Sequence, residues 1–165
     1  MFVKERRYAS KLLTVVLRDF PQFLTGGTKD LTKLKYLSEK VWTLSLQNLT
    51  YILPFYMERI LYPGADSVSI DDQDIEFQGC IAQILSLMQT VAVLCQGQGA
   101  EFIVQNLDQT LVLLVAYCMM SQETVQLYSE DKNAFLTAFL NDSDDMMTSI
   151  SIRNSVIELL QDYLF

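Results

Sequence analysis

Carboxylates are the side chains of this sequence that cluster closely enough to act together. Three groups occur along the chain: Asp66, Asp71, Asp72 and Asp74; Glu130 and Asp131; Asp142, Asp144 and Asp145. Neighbouring carboxylates repel each other, so they are tolerated best where water or a positive partner screens them. The last group lacks the DxDxDG spacing with a terminal Glu that a calcium loop requires. Two interpretations remain open, a solvated acidic surface and a surface that binds basic partners.

Other residues with catalytic potential are sparse. The chain contains no histidine, which removes the commonest general base and the usual partner of a serine or cysteine nucleophile. Cys80, Cys95 and Cys118 each lie in an apolar helical pattern without CxxC spacing, which indicates buried free thiols and no zinc site. Tyr36 and Lys40 have the YxxxK spacing of short-chain dehydrogenases, but no glycine-rich strand-to-helix turn accompanies them. We therefore predict a protein that is not an enzyme and uses no metal or cofactor.

Charge is divided unevenly along the chain. Residues 1–62 carry 10 Lys and Arg against 5 Asp and Glu, whereas residues 63–165 carry 2 against 15. Direct binding of nucleic acid through its phosphates requires Lys and Arg, so the acidic part argues against it. The hydrophobic content of 50% predicts a folded chain. The composition thus favours basic protein partners.

Apolar residues recur with the period of α-helices along the whole chain. This spacing predicts helices over residues 3–19, about 74–95, 100–120 with a break near Asn106, and two in 121–165. The first of the last two begins at Ser121, and an acidic loop separates it from the second. Residues 31–62 are predicted to form one long helix or two collinear ones, with a kink at Pro54. The expected core residues are Val3, Tyr8, Leu12, Val15, Val16, Leu34, Leu37, Val41, Leu44, Leu49, Ile52, Leu53, Ile75, Ile81, Ile84, Leu85, Met88, Val91, Phe102, Ile103, Leu107, Leu111, Leu114, Val115, Ile152, Val156, Leu159, Leu160 and Tyr163.

We predict an all-α fold in which residues 1–165 form one segment of stacked antiparallel helix pairs, an α-solenoid. The helix over 100–120 is apolar nearly all round, so neighbours are expected on both of its flanks. No unbroken apolar stretch reaches the roughly 20 residues of a spanning helix, and the basic N-terminus has no secretory signal. We expect no membrane span, and a protein of the cytoplasm and nucleus.

Several segments resemble the importin-β superfamily of nuclear transport receptors, or karyopherins, most closely the importin-9 type. They are FPQF at 20–23, VWTLSLQNLTYILPFYMERILYP at 41–63, FQGCIAQILSLMQTVAVL at 77–94, MSQETVQLYSEDKNAF at 120–135 and SIRNSVIELL at 151–160. Typical of these receptors is a short helix with an Asn-x-Phe turn, then an acidic run, then a helix that opens on an arginine. The corresponding residues are Asn133, Phe135, the run from Asp142 to Asp145, and Arg153.

The resemblance implies a superhelix of HEAT repeats whose second helices line a concave surface. Members bind cargo and the GTPase Ran on that surface and on acidic loops, and Ran in its GTP form drives cargo release in the nucleus. Residues 130–145 would then face Ran or a basic cargo such as histones or ribosomal proteins. The run in LTAFLNDSDDMM is less dense than that of relatives. The resemblance also implies that the chain is a fragment of a longer receptor. The alternative is a HEAT or armadillo scaffold unrelated to nuclear transport.

Overall fold

The chain is α-helical in a computed structural model that describes residues 3–20, 31–62, 72–95, 101–140 and 149–164. Its helices are α1 (Val3–Asp19), α2 (Leu31–Tyr56) continued by a π-helical segment (Met57–Leu61), α3 (Asp72–Leu94), α4 (Glu101–Gln105), α5 (Leu107–Tyr117), α6 (Gln122–Glu130), α7 (Lys132–Leu140) and α8 (Ser149–Leu164). No strand occurs within the described ranges. The prediction of an all-α protein is confirmed.

Helix α3 is the element on which the other helices pack. Helices α1 and α8 form the most extensive interfaces with it, and α2 forms the next. Ile81, Leu85 and Met88 are each fully buried, as their spacing predicted. Ile75 was expected in the core but is 48% exposed. It lies in the same helical row as the partly buried Gly79, at the margin of the buried face.

The same helix bears on the expectation that no stretch is long and apolar enough to span a membrane. The 21 residues Asp74–Leu94 are long and apolar enough to span a membrane by length and composition alone. Of the 18-residue stretch within them that meets this criterion, 56% is buried within the protein. The sequence argument considered unbroken apolar runs, whereas this helix contains scattered polar residues such as Gln78 and Gln83. Buried core helices share these properties.

Helix α1 turns a different face to the core from the predicted one. Its buried residues are Ser10, Thr14 and Leu17, whereas Tyr8 and Leu12 are 67% and 65% exposed. The small side chains of Ser10 and Thr14 allow α1 and α3 to pack closely. The predicted stripe was therefore wrong at Tyr8 and Leu12, whereas Val3 packs against the core and Val15 and Val16 are half-buried.

Two arginines of α1 contact neighbouring helices in that orientation. Arg7 Nη1 lies 2.9 Å from Glu76 Oε2 of α3, and Arg6 donates to the amide oxygen of Asn48 on α2. Gly79 leaves room for Arg7, because a Cβ atom there would lie 3.1 Å from Arg7 Cζ. These polar contacts are compatible only with the face that α1 turns to α3 and α2 here.

Helix α2 passes through Pro54 without ending, as the prediction of one long element allowed. Proline removes the N–H that would bond to the carbonyl of Thr50, and the chain becomes π-helical three residues later. The buried stripe is Ser38, Trp42, Ser45, Leu46, Leu49, Ile52 and Tyr56. Leu44 was expected in the core but is 56% exposed, because the stripe is centred on Trp42 and Leu46.

The predicted break near Asn106 is confirmed, since α4 ends at Gln105 and α5 begins at Leu107. Helix α5 has neighbours, as expected, because it packs against α2 and α8. It is not covered all round, since Val112 is 74% exposed and Val115, which was expected in the core, is 63% exposed.

The strongest packing joins helices that are distant in sequence. Helices α1 and α3 are separated along the chain by α2, and α3 and α8 are separated by four helices. The consecutive helices α2 and α3 also pack on each other, as do α6 and α7. Ile152, Val156 and Leu159 of α8 are fully buried, which confirms that part of the predicted face. The side chain of Tyr163 lies outside the described residues.

Candidate functional site

Helices α6 and α7 carry two of the predicted acidic residues at their junction, and we call them the acidic helix pair. Their main packing among the described helices is with each other. The rings of Tyr128 and Phe135 meet edge to face with centroids 5.2 Å apart. Glu130 ends α6 and Asp131 links it to α7, and both residues are exposed. The structure therefore places two neighbouring carboxylates on the surface, where the sequence predicted an acidic loop.

Local hydrogen bonds fix where the two helices begin. Ser121 Oγ accepts from the backbone N–H of Thr124 at 3.2 Å, which confirms the predicted start of α6. Asp131 Oδ1 accepts from the backbone N–H groups of Asn133 and Ala134, each at 2.9 Å. A carboxylate at this position satisfies N–H groups that have no partner within the helix and complements the helix dipole. Asp131 is thus a helix cap as well as a surface charge.

The segment Asn133-x-Phe135 was expected to be a turn, but it lies in α7. The cap at Asp131 is the physical reason, since the helix that it caps begins at Lys132, one residue before Asn133. This corrects the expected arrangement of a short helix followed by a turn.

Glu130 lies at the C-terminal end of α6, whereas Asp131 lies at the N-terminal end of α7. The Oε1 atom of Glu130 accepts a hydrogen bond from Gln126 Nε2 at 2.7 Å, within the last turn of α6. The C-terminal end of a helix carries partial negative charge, so a carboxylate there costs about 0.3–1 kcal/mol. The positive charge of a partner would remove this repulsion.

Large apolar side chains are exposed on the acidic helix pair. Val125 and Tyr128 of α6 are 51% and 50% exposed, and Leu136 of α7 is 50% exposed. Exposed aliphatic and aromatic residues next to charged ones are typical of surfaces that bind proteins. The acidic helix pair therefore offers both apolar contact and negative charge.

The remaining predicted acidic residues lie elsewhere. Asp74 was expected in a polar loop but lies in the first turn of α3, buried, with Oδ1 3.3 Å from Arg59 Nε. Its carboxylate neutralises an arginine of the same fold, because burial favours a paired charge. The backbone of Asp72 is also in α3. Outside the described residues lie the side chain of Asp72 and the residues Asp66, Asp71, Asp142, Asp144 and Asp145, whose role as partner contacts stays a prediction.

The three cysteines are free thiols, and Cys80 and Cys95 are buried as predicted, whereas Cys118 is only partly buried. Burial raises the pKa of Cys80 to about 11 and also raises the pKa values of Cys95 and Cys118. A raised pKa disfavours the thiolate, which is the nucleophilic form. In the part of the chain that the structure describes, no group of His, Cys, Asp or Glu is placed to hold a metal ion.

The sequence argument did not identify a buried arginine. Arg153 is 7% exposed, and its Nη2 donates to the carbonyl of Met119 at 3.4 Å. Its Nε and Nη1 atoms have no hydrogen-bond acceptor, nor does the hydroxyl of the fully buried Tyr56 have a hydrogen-bond partner. The signal was present in the sequence, because Arg153 precedes Val156 by three residues and therefore shares the core face of α8. Periodicity read from apolar residues alone passes over such a position.

The electrostatics around Arg153 link it to two further residues. Burial raises the pKa of Tyr56 to about 12, and the charge of Arg153 opposes that rise. The same charge opposes the rise that burial causes in the pKa of Cys118. The neighbouring Tyr117 is satisfied in a different way, since its hydroxyl donates to the carbonyl of Leu49 at 2.7 Å. Tyr56 and Arg153 thus form a buried polar cluster that keeps unused donors.

The chain therefore combines an all-α core, an exposed acidic helix pair and a buried polar cluster. Comparisons of the chain with family models, with curated proteins and with solved structures gave no match.

Proposed function

We propose that the chain is a protein-binding helical segment that captures basic partners through the acidic helix pair. The observation that carries this proposal is the exposure of Glu130 and Asp131 at the junction of two helices whose main packing is with each other. Surfaces that a fold leaves uncovered and that combine apolar and charged groups suit a protein partner. The function is binding and no reaction is proposed.

The placement of the two carboxylates supports this proposal. Asp131 is held in position by two backbone N–H groups, so little side-chain entropy is lost when a partner binds. Glu130 lies where the dipole of α6 opposes its charge, so a lysine or arginine of a partner stabilises it twice, through the ion pair and through relief of that repulsion. A cation of a partner therefore stabilises the carboxylates of Glu130 and Asp131 more than water does.

The partner class follows from charge. The chain has a net charge of −8, with the excess of acid after residue 62. Such a surface attracts basic proteins over a distance, and salt weakens that attraction. Histones and ribosomal proteins are strongly basic partners of the proposed kind. The predicted acidic residues outside the described ranges would add to the same field.

The test compares two variants that lose equal charge at different places. Glu130→Gln with Asp131→Asn removes both charges from the acidic helix pair and keeps the cap, since asparagine caps a helix as well as aspartate does. Glu39→Gln with Glu158→Gln removes two exposed charges elsewhere. The measurement is the affinity for labelled core histones by fluorescence anisotropy.

An exposed charge pair contributes about 0.2–1 kcal/mol, so losing two of them should weaken binding by roughly two- to thirtyfold. We expect that loss in the first variant and a smaller one in the control. Equal losses in both would mean that only the net charge matters, and the proposed surface would be wrong.

A narrower form of the proposal is that the chain is a HEAT-repeat segment of a nuclear import receptor of the importin-9 type. The sequence resemblance supports it, and so does the packing of consecutive helices α2 and α3. The alternative is a HEAT or armadillo scaffold for protein interaction unrelated to nuclear transport. The packing of α1 and α8 on α3 favours neither form over the other, because both are solenoids, in which repeats contact only their neighbours.

Ran distinguishes the two forms. A receptor segment that responds to Ran should release bound core histones when Ran-GTP is added, and Ran-GDP should have no such effect. A scaffold should keep its histones in both cases. If the variant with Glu130→Gln and Asp131→Asn no longer releases histones when Ran-GTP is added, the response to Ran lies on the acidic helix pair.

A further inference from the structure

The buried polar cluster formed by Tyr56 and Arg153 carries more positive charge and more hydrogen-bond donors than the fold itself uses. Arg153 is 7% exposed, and the single acceptor it contacts is the carbonyl of Met119, 3.4 Å from Nη2. None of the described carboxylates pairs with it. Buried charges are normally paired, because a charge without a counter-ion is costly in a medium of low polarity. An anion is the chemical species that this arrangement lacks.

The unused donors of the cluster belong to two side chains. Nε and Nη1 of Arg153 have no acceptor, and the hydroxyl of Tyr56 has no hydrogen-bond partner. Arg153 is the fifth residue of α8, a helix of 16 residues, and its Nη2 lies 3.4 Å from the carbonyl oxygen of Met119.

Several features make this arrangement suitable for a small ligand. The carbonyl that accepts from Arg153 belongs to Met119, which is 38% exposed, so the cluster borders the surface at the end of α5. Hydrogen bonds from a guanidinium to an oxyanion are charge-assisted and stronger than neutral ones. The phenol of Tyr56 is protonated at neutral pH and is therefore a donor, and burial raises its pKa further, to about 12.

We propose that Arg153 and the Tyr56 hydroxyl form a binding site for a small oxyanion of the phosphate or carboxylate class. This site is separate from the acidic helix pair and does not rest on the proposed function. The bound oxyanion neutralises the guanidinium and joins α8 to the C-terminal end of α2. Its affinity therefore contributes to the stability of the folded chain.

The test is thermal unfolding of the full chain during titration with inorganic phosphate, with sodium chloride added to keep ionic strength constant. Phosphate also stabilises proteins in general by exclusion from their surfaces, but that effect does not saturate. Arg153→Met removes the charge and keeps the length of the side chain. Arg18→Met is the matched control, because it removes one exposed arginine. A parallel titration with acetate examines the carboxylate class.

We expect a saturable rise in Tm for the native chain and for the Arg18→Met control, with affinity for phosphate weaker by about tenfold or more in the Arg153→Met variant. Should that variant fail to fold, Tyr56→Phe loses only one donor, and phosphorus NMR line broadening should show weaker phosphate binding to it than to the native chain. No saturable rise with either anion in the native chain would overturn the proposal, as would an equal rise in the Arg153→Met variant.

A variant with Asp142, Asp144 and Asp145 changed to Asn tests whether these carboxylates are the counter-ion of Arg153. Should phosphate bind only to that variant, the chain's own carboxylates are the counter-ion of Arg153, and the proposal of an external oxyanion is wrong. Equal phosphate binding by this variant and by the native chain agrees with the proposal.

Discussion

The carboxylate of Asp131 has two roles that substitution can separate. It accepts from two backbone N–H groups at the start of α7, each at 2.9 Å, and it carries a charge on an exposed residue. Asp131→Ala removes both roles, whereas Asp131→Asn removes only the charge, because the amide oxygen accepts the same hydrogen bonds. Loss of a helix cap costs about 0.5–2 kcal/mol, typically about 1 kcal/mol. The alanine variant should therefore destabilise α7 more than the asparagine variant does.

Amide hydrogen exchange measures this difference locally. A loss of about 1 kcal/mol corresponds to roughly fivefold faster exchange of the α7 amides in the alanine variant. The asparagine variant should exchange at nearly the native rate, with helices α1 and α3 unchanged in both. Both variants should lose affinity for basic proteins to a similar extent, since both lack the charge. Equal exchange of α7 in the two variants would refute the capping argument.

Three further predictions concern the core. Tyr117→Phe removes the hydrogen bond to the carbonyl of Leu49 and should lower the free energy of unfolding by about 1 kcal/mol in urea titrations; an unchanged value would contradict it. Gly79→Ala should leave the free energy of unfolding unchanged or raise it by up to about 1 kcal/mol, because the atoms nearest to the new Cβ belong to the flexible end of Arg7, 3.1 Å away; a clear loss in thermal unfolding would show that Arg7 cannot move. Burial raises the pKa of Cys80 from 9.0 to about 11, so its contribution to stability is complete below pH 9 and is lost as pH rises to 11. Cys80→Ala should therefore make the free energy of unfolding fall less steeply over that range in urea titrations, and an identical slope would contradict the shift.

The sequence predicted helix α3 well because its surroundings are apolar on several sides. When neighbours cover most of a helix, nearly every apolar position is buried, and periodicity identifies the core correctly. Ile81, Leu85 and Met88 are examples. Helix α1 has a single large interface, with α3, and more apolar residues than that interface can cover. Arg6 and Arg7 contact other helices when this face of α1 is buried. No local pattern in the sequence predicts those contacts.

In the candidate site, too, local interactions could be predicted from the sequence, whereas tertiary contacts could not. The start of α6 at Ser121 could be predicted because a helix cap is a local interaction between residues three apart. The cap at Asp131 is equally local, and the same rule applied to Asp131 would have placed Asn133 and Phe135 in a helix. Tertiary packing buries Asp74, so its pairing with Arg59 was beyond the reach of local reasoning. The buried position of Arg153, in contrast, could be predicted locally, because Arg153 lies three residues before Val156 on the core face of α8.

The proposed function is tested most directly by locating where a basic partner binds. The measurement is amide hydrogen exchange of the full chain, alone and with core histones at low salt, followed by mass spectrometry. We predict that histones slow exchange in residues 122–140, the acidic helix pair, and leave α1 unchanged, and that high salt removes the protection. Protection absent from residues 122–140 while histones are bound would contradict the account.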